Sequence, residues 1–288
     1  MNAPHNNVSG YGERSIGAIL IDHGLLKPDD AEAIFRTQRD TGLRFGDAAI
    51  KLGLVSEESI QFALSRQYDY PYLQRGDAKV SATVVAAYDP FSPKVEALRA
   101  LRSQLMLRWF GADSEHRALA ITSPGRGEGR SWITANLAVV FSQLGERTLV
   151  IDADLRNPCQ HQLFGVENQA GLSAALSGRG TPDICQRVPA LRDLSVLPAG
   201  PIPPNPQELL ARPIFTQLLL KLASEFDVIL IDTPASAQFA DAQTIAVRAS
   251  GALVVAQRNA SRLAQLRSHA DMLRQASALV VGTVLNAR

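Results

Sequence analysis

From about residue 118 the chain alternates short β-rich runs with helical stretches, and no other feature restricts its fold as tightly. The runs are ALAIT, TLVIDAD, LSVLPAG, DVILIDTP, GALVVAQ and LVVGTVLN, and between them lie stretches such as WITANLAVVFSQLG and ARPIFTQLLLKLASEF. Strands that are apolar throughout bury both faces, and parallel neighbours need a crossover long enough for a helix. The pattern therefore predicts an α/β domain with a mostly parallel sheet and helices on both faces. The 288 residues are enough for one large or two ordinary domains, and 46% apolar with 20% charged residues excludes a wholly disordered chain. A net charge of +1 gives no basic field, so no nucleic-acid partner is expected. Every apolar run is broken by Arg, Glu, Gln or Asp before the ~18 residues of a membrane span, and MNAPHNNVSGYGERS lacks a signal-peptide pattern. The expectation is a soluble intracellular protein. Cys159 and Cys185 are too few for a disulfide framework.

The first part of the chain is organised differently. Residues 1–12 read as a flexible tail, and residues 13–73 as a small all-α domain carrying an internal repeat with a period of 29. SIGAILIDHGLLKPDDAEAIFRTQ aligns with RFGDAAIKLGLVSEESIQFALSRQ, matching Gly17 with Gly46, Gly24 with Gly53, Leu25 with Leu54 and Gln38 with Gln67. Each copy predicts a short helix, a Gly-Leu turn and an N-capped second helix. Residues 74–94 are mixed in composition and read as a linker. VEALRALRSQLMLRWF then predicts a helix with Leu98, Leu101, Leu105 and Trp109 on one side, opening a domain over residues 95–288.

Three segments of that domain carry candidate chemistry. The first strand runs into SPGRGEGRSW, where Gly125, Gly127 and Gly129 allow backbone N–H groups to approach phosphate and a helix N-terminus adds its dipole. Ser131 stands where a P-loop places its Mg²⁺-binding hydroxyl, although Pro124 replaces the first glycine of the strict pattern and Arg130 the lysine. Only five of the 29 basic residues are lysines, and Lys221 is the last. Asp152 and Asp154 sit at alternate positions where a strand ends, and ILIDTP ends a second apolar strand in Asp232. Phosphate and Mg²⁺ chemistry in open α/β sheets gathers at that edge. Each element alone is also an ordinary strand end or glycine turn; together, in this order, they predict a nucleotide site.

SPGRGEGRS, VIDADLR and ILIDTP resemble the three Walker boxes of bacterial tyrosine kinases, relatives of the MinD/ParA ATPases. GPIPPNPQELL resembles a proline-rich segment of the same family, and the chain looks most like its EpsG type, which accompanies exopolysaccharide chain-length determinants. The resemblance covers residues 94–288. It implies ATP and Mg²⁺, with Gly125, Arg126, Gly127, Glu128, Gly129, Arg130, Ser131 and Trp132 around ATP and Ser131, Asp154 and Asp232 around the metal. Asp152, Asp154 and Arg130 would be catalytic. It also implies a membrane-anchored chain-length determinant as partner, with the chain peripheral at the inner face of the membrane. Glu96, Arg99 and Arg102 match the family's ring-forming motif, which implies a homo-oligomer; the same spacing suits an ordinary solvated helix face. The family's C-terminal tyrosine cluster has no counterpart, since no tyrosine follows Tyr88, whereas Tyr68, Tyr70 and Tyr72 cluster near the end of the helical domain.

The repeat is similar to the MshEN domain that opens type II secretion and pilus ATPases. Its cyclic-di-GMP-binding pattern is matched in the second copy by Arg44, Gly46, Gly53, Leu54 and Gln67, while the first copy has Ser15 where arginine is expected. Three functions share this fold: a tyrosine kinase, a MinD/ParA-like ATPase switch, and a non-catalytic scaffold that senses cyclic-di-GMP.

Overall fold

The computed structural model describes residues 15–67, 72–73, 76, 79–111, 114–179 and 184–287. The proposed tail, Tyr68 and Tyr70 lie outside the described residues. The chain divides into two units, Met1–Pro71 and Tyr72–Arg288.

The smaller unit contains α1 (Ile16–Asp22), α2 (Pro28–Thr41), α3 (Phe45–Lys51) and α4 (Glu57–Gln67). Helix α1 packs on α4 and α2 on α3, burying Ile19, Leu20, Ile34, Ala48, Ala49 and Ala63. The repeat's glycines have physical causes. Gly24 and Gly53 turn the chain at φ +68° and +69°, where side chains are disfavoured. At Gly46 an added Cβ would stand 3.1 Å from Ile60 Cγ2. Ser56 caps the second helix of its copy by accepting the Ser59 N–H at 3.1 Å. Lys27, at the matching place in the first copy, makes no side-chain cap, and Pro28 opens that helix instead.

The larger unit runs α5 (Val85–Tyr88), α6 (Pro93–Arg108), β1 (Ala118–Thr122), α7 (Arg130–Ser142), β2 (Thr148–Asp152), α8 (Gln160–Phe164), α9 (Leu172–Leu176), β3 (Gln186–Arg187), β4 (Leu194–Leu197), α10 (Pro206–Ala211), α11 (Pro213–Glu225), β5 (Val228–Asp232), α12 (Asp241–Arg248), β6 (Gly251–Gln257), α13 (Leu263–Gln275) and β7 (Leu279–Asn286). The seven strands form one sheet in the order β3-β4-β2-β5-β1-β6-β7, parallel except for the β3–β4 pair. Successive residues of a strand serve opposite faces. Leu119, Ile121, Val150 and Leu230 join a core with α6, α7 and α8, while Ala120, Leu149, Ile151 and Ile231 join one with α9 to α13. The strand order reverses around β1, which places a crevice at the carboxyl ends of β1, β2 and β5.

The stretch 74–94 departs from a linker. Val80, Val84, Ala86, Ala87 and Tyr88 are buried in the core beside α7. Asn136 of α7 accepts the Ala86 N–H at 2.9 Å and donates to the carbonyls of Trp132 (2.9 Å) and Thr83 (3.4 Å). Trp132 Nε1 donates to the Thr83 carbonyl at 2.8 Å and Gln143 Nε2 to that of Ala86 at 3.0 Å. Small residues without helical spacing carry no amphipathic signal, yet they suit a strap lying close against a helix. The compact unit therefore begins at residue 72 rather than 95.

Candidate active site

The loop from Ser123 to Gly129 joins β1 to α7. Gly127 has φ +76° and Gly129 has φ +100°, and a side chain at Gly129 would run into Asn286 Nδ2. The first N–H groups of α7, which have no acceptor within the helix, are where an anion would be held. Glu128 points inward, 4% exposed, and holds the loop from behind: it accepts the Gly125 N–H at 2.6 Å and the Ser261 hydroxyl. Asn286 Nδ2 donates to the Glu128 carbonyl at 3.1 Å. The loop is also tied to the segment after β5, since Ser236 and Ala237 donate their N–H groups to the Ser123 and Pro124 carbonyls.

Arg130 does more than carry charge. Its Nε donates to the Thr233 carbonyl at 2.8 Å, and its Nη1 donates to the Gly125 carbonyl at 2.6 Å and to the Ser123 hydroxyl. The planar fork suits two carbonyls at once in a way that a lysine ammonium does not. It also borders the cleft at the carboxyl edge of the sheet.

The three aspartates fall into two environments. Asp152 and Asp232 end the adjacent strands β2 and β5 in direct register, and both are fully buried. Asp152 Oδ2 accepts the N–H groups of Cys159 and Gln160, each at 2.9 Å. Asp232 Oδ2 accepts from Gln160 Nε2 at 2.7 Å. Burial raises both carboxyls above the usual range, and the charge of Asp232 pushes Asp152 further; hydrogen bonds from Gln160 and Ser131 act against the rise at Asp232. Burial also pushes the Cys159 thiol, 4.0 Å from Asp232, up to about 12, so it stays protonated.

Strand β2 stops at Asp152, so Asp154 does not continue its alternation. It caps a turn instead, accepting the N–H groups of Arg156 (3.2 Å) and Asn157 (2.9 Å), and it borders the cleft. The cleft has a volume of about 470 Å³. Arg126, Gly127, Arg130, Asp154, Pro203, Pro204 and Phe239 are among the residues that line it. Asp152 is not among its lining residues. Trp132 faces a second cavity of about 550 Å³, shared with Lys94, Leu101 and residues 283–287.

Asp152 Oδ1 and Asp232 Oδ1 are buried without a hydrogen-bond partner among the described residues. Paired buried carboxylates with free oxygens suit a cation. Among the described residues no three His, Cys, Asp or Glu cluster to hold a metal. The two orphaned carboxylate oxygens fit Mg²⁺, which binds one or two carboxylates and completes its shell with phosphate oxygens and water.

Other contributors carry no role in the sequence reading. Arg156, which closes the VIDADLR segment, pairs with buried Asp241 at 2.7 Å and stacks 3.7 Å above the Phe239 ring. Gln160 reaches the site because α8 begins under β2 and β5, which only the fold brings together. Away from the cleft, Glu96 and Arg99 form an i,i+3 pair at 3.2 Å, and Arg102 Nη1 donates to the Val140 carbonyl at 2.8 Å. In the smaller unit a cavity is bordered by Glu32, Phe35, Arg36, Gln38, Arg39, Gly42 and Leu43, and not by Arg44, Gly46, Gly53, Leu54 or Gln67. No helix among the described residues is long and apolar enough to cross a membrane.

A family model described as ParA, an NUBPL iron-transfer P-loop NTPase, matches residues 115–288. The putative tyrosine-protein kinase CapB of Staphylococcus aureus is 34% identical over 212 residues, covering 73% of this chain and 92% of CapB. The tyrosine-protein kinase YwqD of Bacillus subtilis is 32% identical over 211 residues, covering 73% of this chain and 88% of YwqD. The solved kinase domain of the Escherichia coli tyrosine kinase ETK superposes with a TM-score of 0.69 at 31% identity, covering 76% of this chain and 85% of that one. On the strength of these likenesses, and of a glycine-rich loop that opens a helix at the carboxyl edge of a parallel sheet, the chain belongs to the bacterial tyrosine-protein kinases, a branch of the ParA-type P-loop NTPases.

Proposed function

We propose that the chain transfers the γ-phosphoryl group of ATP to a tyrosine hydroxyl, in the service of exopolysaccharide chain-length control. The observation that carries this reading is the cleft in which the loop around Gly127 and Arg130 faces Asp154 and Arg156 across one open volume. Backbone N–H groups of residues 125–131 receive the β- and γ-phosphates, and the Arg130 charge offsets developing negative charge. Ser131 and Asp232, with Asp154, would hold Mg²⁺, which neutralises phosphate charge when bound. Asp154 takes the proton of the attacking phenol as its oxygen bonds to phosphorus and the bond to ADP breaks. Asp152, fully buried, supports Asp232 rather than the acceptor. The adenine would lie toward the second cavity, against Trp132 and beside Asn286, which both line it.

The test is phosphotyrosine formation from ATP and Mg²⁺, with and without the cytoplasmic segment of a membrane-anchored chain-length determinant. The signal is expected to disappear in Asp154→Ala, and ATP hydrolysis without phosphotyrosine would move the assignment to an ATPase switch. One observation favours that second reading: Tyr88 is buried and its hydroxyl donates to the Val80 carbonyl, which withdraws it as an acceptor. Any acceptor in this chain is then Tyr11, Tyr68, Tyr70 or Tyr72. Self-association into a ring through Glu96, Arg99 and Arg102 is supported by the exposed Leu107 on the same helix (81%), and light scattering on Leu107→Glu tests it. Peripheral attachment at the inner membrane face, through the EpsG-type partner, belongs to the same proposal. Cyclic-di-GMP at Arg44, Gly46, Gly53, Leu54 and Gln67 has the exposure of Arg44 in its favour. A calorimetric titration without heat would leave the smaller unit as a docking module.

A further inference from the structure

Gln160 touches all three segments of the nucleotide site while remaining fully buried. Its backbone N–H donates to Asp152 Oδ2 at 2.9 Å. Its Nε2 donates to Asp232 Oδ2 at 2.7 Å and to the Ser131 carbonyl at 3.1 Å. The orientation of the amide follows from these partners, because a carboxylate and a carbonyl both accept and the nitrogen must face them. Its Oε1 is then left buried without a partner among the described residues, like Asp152 Oδ1 and Asp232 Oδ1. One residue therefore fixes the rotation of Asp232 through its side chain, braces Asp152 through its backbone, and fastens both to the first turn of α7. Two adjacent buried carboxylates would otherwise repel and turn apart, or share a proton.

We infer that Gln160 is a positioning residue that holds Asp232 and the Ser131 turn in the arrangement that accepts a magnesium-bound nucleotide. This rests on the nucleotide-site reading above. The role is separable from general packing. Gln160→Met keeps the chain length, the helix and the N–H bond to Asp152, and removes the two amide donations.

The experiment is calorimetric titration of the full chain with ADP, in EDTA and across a MgCl₂ series. For Gln160→Met, ADP affinity in EDTA is expected to stay within about twofold of wild type, while the Mg²⁺ concentration at half effect rises about tenfold or more, the range found for residues that orient metal ligands. An unchanged Mg²⁺ dependence would overturn the inference. So would an equal loss of affinity with and without Mg²⁺, which would make Gln160 a packing residue. Gln160→Asn keeps an amide one methylene too short to span Asp232 and Ser131, and it is expected to shift in the same direction. Should the methionine variant misfold, the asparagine variant decides by the same criterion. Wild-type chain that binds no ADP in any condition would overturn the nucleotide site itself, an outcome distinct from a wild-type Mg²⁺ response that Gln160→Met retains.

Discussion

Arg130 shows how one side chain can serve both the framework and the chemistry. The carbonyl of fully buried Thr233 depends on its Nε donor, whereas the Gly125 carbonyl also accepts the Ser123 hydroxyl at 2.9 Å. Arg130→Met is therefore expected to destabilise the nucleotide-free protein by about 1–3 kcal/mol, the cost of an unsatisfied buried acceptor. A melt without ligand reads this apart from any loss of binding. His269 is a second residue of this kind. It is buried between Thr122 and Ser236, bonded to both, with Glu128 and Arg130 nearby. Burial lowers its imidazole to about 4, so the unfolded chain binds the extra proton first as pH falls. Stability from this residue is present above about pH 6.5 and lost between there and about pH 4, by up to about 3 kcal/mol. Denaturant melts over that range are expected to lose most of this slope in His269→Asn.

At the scale of elements, the phosphate loop depends on its two left-handed glycines unequally. Gly127→Ala meets open space and pays the backbone term, about 1–2 kcal/mol. Gly129→Ala pays that term and must also displace Asn286, which is bonded to Glu128. Binding of ADP with Mg²⁺ is expected to survive weakened in the first variant and to be lost in the second. The apolar strands were legible because parallel strands buried on both faces carry few polar interruptions: β1 and β6 begin and end where their apolar runs do, and so does the edge strand β7 although much of it is exposed. Strand β2 was overread to Asp154 because a turn capped by a carboxylate looks the same as an alternating strand end. The two-residue β3 has too little length for any period. Of the site, the glycines and strand-end aspartates stand out in sequence. Gln160 and Phe239 do not, nor do the partners of Arg156, because these contacts join strands and helices far apart along the chain.

For the whole molecule, the decisive difference from the sequence reading is where the larger unit begins. A chain starting at residue 72 is expected to fold and to bind ADP with Mg²⁺. One starting at residue 95 loses Val84, Ala86, Ala87 and Tyr88 from the core and is expected to be insoluble or to melt far lower. Solubility and melting temperature of the two chains check this directly. Small residues packed flat on a helix are invisible to patterns built on large apolar side chains, which is why this boundary was missed while the α/β class was not.

The bonds from Asn136, Trp132 and Gln143 to residues 83–86 also have a mechanical meaning. Trp132 lies one residue beyond Ser131, so the strap is sewn to the very turn that would grip phosphate. A helix stitched this way behaves as a stiff rod with a cord tied near its tip. Any tilt imposed where phosphate is gripped tugs on the stretch of backbone by which the chain enters this unit.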